Sequence, residues 1–348
     1  MKLRDIAKAA GVSLTAVSLV LNGKPGVGEE KRARIRALLR ENGYALAPEE
    51  AAPEPVRNIC FLKYSRHAYL VNGNPGFVTQ IIDAADKECR RHGYNLLITA
   101  FNDFDAIDLS ALLENPSTAG IILLGTELEN GDMIRFSGVR KPLVVVDNPL
   151  WGLPFSSVTM HNWDSIGAVV EHLRSLGHRE IGFLYNAIPS SNDRERRAAF
   201  EDSLRLAGLP FSEDRIYSIF PTMDGARKST LELLDSGVRF PPALVANNDS
   251  IAIGVLQALR ERGIRVPEDI SLTGFDGLPF AAVSDPPLTT VSVSCADIGY
   301  WAVHILHEKI HGRTAVPCRI FVCTSLLLRG STGPPPRSEG PRTKRKER

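Results

Sequence analysis

The first fifty residues carry three helical patterns in close succession. Ile6, Ala7 and Ala10 recur on one face of the run from Leu3 to Ala10, which stops at Gly11, the residue type best able to take a left-handed turn. Val12 then plugs the angle between two helices. Ser13 is a good N-cap for Leu14 to Leu21, in which Val17, Val20 and Leu21 face inward while Leu14, Thr15, Ser18 and Asn22 face outward. After the loop Gly23-Lys24-Pro25-Gly26 a third helix is predicted from about Glu29 to Asn42, with Ile35, Leu38 and Leu39 inward and Gly43 ending it. This is the pattern of a helix-turn-helix, whose short second helix can lie in a major groove.

From Asn58 the rhythm changes to short apolar runs alternating with helical stretches. Ile59–Leu62, Asn95–Ile98, Ile121–Leu124 and Leu143–Val146 read as strands of a parallel βα sheet, with a helix from Phe77 to His92. The rhythm restarts with a helix from Ile166 and strands at Ile181–Leu184, Ile216–Phe220, Ala243–Ala246 and Ile270–Gly274, so two similar α/β lobes are expected. The fold class is therefore α/β, a three-helix headpiece followed by a two-lobed, doubly wound body.

Doubly wound sheets bind ligands beyond the carboxyl ends of their strands. The polar residues there are Asp147 after Val146, Asn248 after Asn247, and Asp276 after Phe275, with Arg196 in the helix that follows Phe183-Leu184. Each has a plain alternative, an N-cap or a solvated cation. Together they suit a polyhydroxylated or charged ligand held between two lobes.

Charge is uninformative at +1 overall until it is divided along the chain. Residues 1–48 hold nine Lys or Arg against four Asp or Glu, and residues 331–348 hold six against two, which leaves the stretch between them strongly acidic. A basic front suggests nucleic acid, with Lys31, Arg32, Arg34, Arg36 and Arg40 on the third helix mostly solvated. A small three-helix interaction module would explain the helices but not this balance. The five cysteines are scattered without a C-x-x-C pair and are expected to be reduced packing residues. No stretch reaches the roughly 20 apolar residues of a membrane span, and Met1 to Asp5 opens no signal peptide, so a cytoplasmic protein with no membrane partner is expected.

Ile6-Ala7-Lys8-Ala9-Ala10-Gly11-Val12-Ser13 with Val17-Ser18-Leu19-Val20-Leu21-Asn22-Gly23 resembles the DNA-binding domain of the lactose/galactose repressor (LacI/GalR) family. His172-Leu173 with Leu176-Gly177-His178-Arg179, Gly274-Phe275-Asp276, and Asp285-Pro286-Pro287-Leu288-Thr289-Thr290-Val291 are similar to landmarks of the same regulators, so the resemblance covers residues 1–330. It implies that Leu14, Thr15 and Leu19 read bases and that Ser13, Ser18 and Asn22 contact phosphates or groove edges. Leu19 replaces an arginine common in the family, and an aliphatic side chain can touch only thymine methyls. The body would be periplasmic-binding-protein-like (type I), crossing between lobes three times, with the helix from Ala296 to His311 in the first lobe. Arg196, Asn248, Asp276 and Asp147 match effector-contacting positions, and Phe77 matches one of two cleft aromatics, the other being Gly76 here. The long segment Lys63 to Gly76 would add Tyr64, Arg66, His67 and Tyr69 near the cleft mouth.

One region departs from that family. Residues 45–55 contain Pro48, Pro53 and Pro55 with Glu49, Glu50 and Glu54, which oppose both a helix and a phosphate backbone. An extended spacer without a regular hinge helix is expected, with little central bending of the DNA. The expected division is 1–47 headpiece, 48–56 linker, 57–330 effector-binding and dimerisation body, and 331–348 disordered basic tail.

His304, His307 and His311 share a helical spacing that could suggest zinc, but no carboxylate or thiolate converges on them. No phosphate-binding glycine loop or nucleophile elbow occurs, so no enzyme activity, cofactor or metal is expected. The sequence thus predicts a homodimeric, sequence-specific DNA-binding regulator acting on a pseudo-palindromic operator. Repression is the expected sign, under control of a small molecule, by default a sugar. A protein partner in place of the small molecule, or a cytoplasmic solute-binding protein, are the alternatives.

Overall fold

In this computed structural model the described residues are 1–47, 57–106 and 108–336. The linker expected at 48–56 and residues 337–348 of the expected tail lie outside them. The chain divides into two units, Met1–Val56 and Arg57–Arg348.

The first unit contains α1 (Leu3–Ala10), α2 (Leu14–Leu21) and α3 (Glu29–Glu41), within a residue of the sequence reading. Gly11 adopts φ +68°, and the next N–H, of Val12, returns to Ala7 O at 3.0 Å. That pair of features turns the chain sharply enough for Val17 and Val20 of α2 to meet Ile6 of α1 and Ile35 and Leu39 of α3 in a small closed core.

The second unit begins with β1 (Arg57–Tyr64), α4 (Tyr69–Gly73), α5 (Pro75–Arg91), β2 (Tyr94–Phe101), α6 (Leu109–Glu114), β3 (Thr118–Leu124), β4 (Leu143–Val146) and β5 (Ser156–Met160). It continues with α7 (Asn162–Ser175), β6 (Gly182–Asn186), α8 (Ser191–Leu206), β7 (Ile216–Ile219), α9 (Met223–Asp235), β8 (Ala243–Ala246), α10 (Asp249–Glu261), β9 (Ser271–Asp276), α11 (Pro279–Val283) and β10 (Thr289–Ser292). It ends with α12 (Cys295–Ile310), β11 (Arg319–Val322) and β12 (Ser325–Leu327).

Among the described residues two six-stranded sheets result, ordered β11-β5-β4-β3-β1-β2 and β12-β10-β9-β8-β6-β7. The chain passes from one to the other after Met160, returns after Ser292 and crosses again after Val322, so three connections join the lobes. The pairing is parallel as expected except at β12, which runs antiparallel to β10. This last strand re-enters the second sheet straight from β11 of the first, with no helix between to turn it parallel. α12 packs in the first lobe, where Gly299 lies so close to Ile81, Ala84 and Ala85 of α5 that a Cβ would collide with them.

Residues 331–336, expected to belong to a disordered tail, are instead packed. Ser331 is fully buried, donates to Leu272 O at 2.6 Å and accepts from Thr289 N at 2.8 Å. Gly333 N donates to Ser271 Oγ at 3.0 Å, and Gly333 O lies 2.8 Å from His178 Nε2. Residues 331–336 therefore close the base of the second sheet. Burial also holds the His178 imidazole below its ordinary pKa, which favours the neutral ring.

A chain ending at Gly330 should be less stable than one ending at Pro336 by about 2–4 kcal/mol, from several buried hydrogen bonds at about 1 kcal/mol each. Urea unfolding of the two truncations measures this. Equal midpoints would show that the segment contributes nothing.

Candidate functional site

In the first unit, burial of Val17 and Val20 turns the opposite face of α2 to solvent. Leu14 is 43% exposed, Thr15, Ser18 and Asn22 are exposed, and Leu19 is half-buried. Ser13 Oγ accepts the Ala16 N–H at 3.1 Å, so this hydroxyl fixes the start of the helix. Asn22 Nδ2 donates to Ser18 O at 2.8 Å. Lys2 and Arg4 join Leu14, Thr15 and Ser18 around an open groove of about 680 Å³. The sequence reading missed those two cations, although they stand on and before the first helical turn, within reach of the second helix.

In the second unit, the sheets point their carboxyl ends at one another. Leu70, Asn74, Phe77, Val78, Thr126 and Asp147 of the first lobe, and Ser190, Asn192, Asp193, Arg196, Asn248 and Asp276 of the second, line one cavity of about 40 Å³. Five of the six residues expected at the effector site, Phe77, Asp147, Arg196, Asn248 and Asp276, are thus brought together. Tyr64 is not. It is buried against Phe101 and Phe104, at ring distances of 5.4 and 4.4 Å, on the opposite side of its sheet. The reason is strand alternation: Cys60, Leu62 and Tyr64 share one face of β1, whereas Ile59 and Phe61 share the other. Of its neighbours, Arg66 pairs with Asp132, and Tyr69 meets Phe220 edge-on at 5.0 Å.

Arg196 is 5% exposed and fully engaged. Its guanidinium lies 3.7 Å from the Phe275 ring centroid, donates from Nε to Asn162 Oδ1 at 3.0 Å and from Nη1 to Asn247 O at 2.7 Å, and stands 3.9 Å from Asp276 Oδ1. The other oxygen of Asp276 accepts from Asn74 Nδ2 at 2.6 Å, a bond between the lobes. Asp147 accepts from Thr126 Oγ1 at 2.5 Å and, across the lobes, from Asn192 Nδ2 at 2.7 Å. Asn248 caps α10 by accepting the Ile251 N–H at 2.8 Å, so its plain role and its place at the cleft coexist.

Asp147 and Asp276 hold positive φ angles, +62° and +104°, rare for residues with a Cβ and retained where surroundings fix them. Burial pushes the Asp147 carboxyl up to about 6, against the pull of Thr126 and Arg196, and holds Asp276 well above the carboxylate range. Beneath them Asp249, also buried and accepting from Thr290 Oγ1 and Leu278 N, is pushed up to about 7. Gly274 of β9 is required there, since a Cβ would collide with the Asp249 carboxylate.

Asn74, Thr126 and Asn192 were missed by the sequence reading. Thr126 stands just past the apolar run ending at Leu124, where the strand-end rule could have found it. Asn74 and Asn192 depend on the opposite lobe and leave no local signal. Glu127 was also missed: it accepts the N–H groups of His67, Ala68, Leu70 and Val71 and so anchors the segment that carries Asn74. Of the three helical histidines, His307 faces the Tyr94 hydroxyl at 3.1 Å and stacks on His92; among the described residues no group of three potential ligands could hold a metal ion. Among them, too, no helix is long and apolar enough to cross a membrane.

A raised folded-state pKa in an aspartate means that the folded protein binds the proton more tightly than the unfolded chain. Its contribution is therefore most favourable below the unfolded value and is lost as pH rises to the folded one. For Asp147 that window runs from 3.8 to about 6. Asp147→Asn should gain stability relative to the parent across it, by up to about 3 kcal/mol at neutral pH. Urea midpoints of the pair between about pH 4 and pH 7 test the sign; a gap that closes as pH rises contradicts it.

Residues 2–46 match the family described as bacterial regulatory proteins, lacI family, and residues 170–332 match a periplasmic binding protein-like domain. The HTH-type transcriptional regulator MalR of Streptomyces coelicolor is 30% identical over 97% of this chain and 98% of its own length. The HTH-type transcriptional regulator DegA of Bacillus subtilis is 27% identical over 95% and 97%. Among solved structures, the regulator CelR in complex with cellobiose and the lac repressor dimer bound to operator and the anti-inducer ONPF each superpose with a TM-score of 0.71 at 24% identity. They cover 95% and 96% of this chain and 99% of their own. A helix-turn-helix with the outer face of its second helix exposed, a two-lobed body crossed three times and a full-length relative at this identity all agree: the chain belongs to the LacI family of DNA-binding transcriptional regulators.

Proposed function

We propose that the cavity between the lobes is the effector site, that its ligand is a neutral carbohydrate, and that the chain acts as a homodimeric repressor on a pseudo-palindromic operator. The observation that carries the effector reading is the set of buried polar bonds between lobes, Asn74 to Asp276 and Asn192 to Asp147, closing over Arg196. Buried polar groups of this kind stay paired in the closed arrangement and need new partners when the lobes part. A cavity of about 40 Å³ is far below the several hundred of a typical ligand pocket, so a sugar enters by opening the lobes and replaces these bonds with its own hydroxyls.

The charge of the lining selects the ligand class. Three aspartates, Asp147, Asp193 and Asp276, line the cavity with one guanidinium, Arg196, so an anionic ligand meets repulsion while a donor-rich neutral one supplies what the carboxylates accept. The CelR structure, a complex with cellobiose, supports the same class. Dimerisation is supported by β2, the edge strand of the first sheet, where the adjacent Leu97 and Ile98 are 46% and 53% exposed. Ser13, Leu14, Thr15, Ser18, Leu19 and Asn22 are proposed to face the operator, with Lys2 and Arg4 on phosphates. Repression is supported by the PurR repressors among the relatives.

Thermal unfolding against a panel of sugars and sugar phosphates tests the effector. A neutral sugar at about 100 times its dissociation constant should stabilise the protein by roughly 2.7 kcal/mol, and Arg196→Ala should abolish the gain. The same variant should keep operator affinity without sugar, whereas Thr15→Ala should weaken it by about 1–3 kcal/mol in fluorescence anisotropy. Stabilisation by sugar phosphates alone would overturn the neutral-ligand reading.

A further inference from the structure

A second groove, of about 580 Å³, opens beside the cleft and is far roomier. Trp151 and Glu129 reach it from the first lobe, and Trp163, Arg194 and Glu195 from the second. Two indoles in one groove are 53% and 42% exposed, an unusual burden for a soluble surface.

The groove walls are braced by several contacts. Trp151 lies on a turn with left-handed φ at Leu150 and Gly152, stacks on Phe321 at 5.5 Å and donates its indole N–H to Glu195. Glu195 is itself nine-tenths buried and accepts from Asn162 Nδ2 at 2.7 Å. Arg194 pairs with Glu129 across the lobes at 3.0 Å. The charges that line the groove are thus neutralised by one another or by internal donors, while an aromatic face remains open. That combination fits a neutral, amphipathic ligand.

We propose that this groove is a separate site for a pyranose, whose apolar C–H face stacks on the indoles and whose hydroxyls reach Arg194 and Glu129 at the rim. Its lining shares no residue with that of the cleft, and Asn148 and Ser191 bond across the lobes there at 3.4 Å. Occupancy touches both lobes and so favours their closed arrangement. A path to the cleft exists in the structure: Glu195 bonds Asn162, and Asn162 Oδ1 accepts from Arg196. Ligand in the groove is therefore coupled to ligand in the cleft, and the coupling is reciprocal.

Isothermal titration of the full chain with glucose, maltose and cellobiose tests this, with acyclic sorbitol as control. Parallel titrations use Trp163→Ala, Trp163→Tyr and Arg196→Ala, each checked for a cooperative melting transition above the titration temperature. At least one sugar should bind in Arg196→Ala, weaken about tenfold or more in Trp163→Ala and recover in Trp163→Tyr. Heat lost in Arg196→Ala and intact in Trp163→Ala places binding in the cleft alone and overturns the second site. Loss in both variants makes the groove part of the cleft and overturns its separateness. Sorbitol binding as well as the sugars, or no heat from any sugar at about 10 mM, overturns the pyranose assignment. The first of these results leaves the cleft reading standing, so the two fail independently.

Discussion

The body is organised around the cost of burying charge. Arg196, Asp147, Asp276 and Asp249 are all nearly inaccessible, and none could stay ionised at a modest cost without several partners. Those partners come from both lobes and from the hinge: Asn74 and Thr126 from the first, Asn192 and Asn247 from the second, and Asn162 from the first crossing. The lobes therefore close on a polar set that neither could satisfy alone. A two-lobed protein whose contact surface is polar in this way can exchange its internal bonds for those of a ligand, which an apolar contact cannot do.

Much of this was legible in the sequence where one residue type decides one local conformation. Gly11, Ser13 and Gly43 mark the helix ends of the first unit because a left-handed turn and an N-cap admit few alternatives. Four-residue apolar runs such as Leu143 to Val146 mark strands buried on both faces. The hinge strand β5 was not legible, because Ser156, Ser157 and Thr159 are buried yet polar. Their hydroxyls are satisfied by Cys318 N, Pro149 O and Asn192 Oδ1, none of them on the strand itself, so hydropathy pointed the wrong way.

The cleft divides along the same line. Asp147 and Asp276 follow strands and were found by position. Tyr64 was misplaced because the run Ile59 to Leu62 is apolar at every residue, and a strand without alternation does not disclose which side faces the cleft. Ser331 to Pro336 reads as a tail by composition, but a buried hydroxyl and a carbonyl beside His178 make it part of the sheet base. Position along the chain could not show that these groups fill vacancies left by other elements.

The raised aspartates also explain why the closed arrangement responds to a ligand. Asp147 and Asp276 sit above their ordinary range because burial outweighs the stabilisation available from Arg196 and the amides. Closure without ligand is therefore held below its full strength by under-compensated carboxylates. Opening relieves that penalty by admitting water, and a ligand relieves it by supplying hydroxyl donors while keeping the lobes together. The same groups that make empty closure costly are the ones a neutral sugar satisfies, so the lobe equilibrium and ligand recognition rest on one electrostatic deficit. A phosphate would deepen that deficit rather than fill it, and this ties the choice of ligand class to the switching itself.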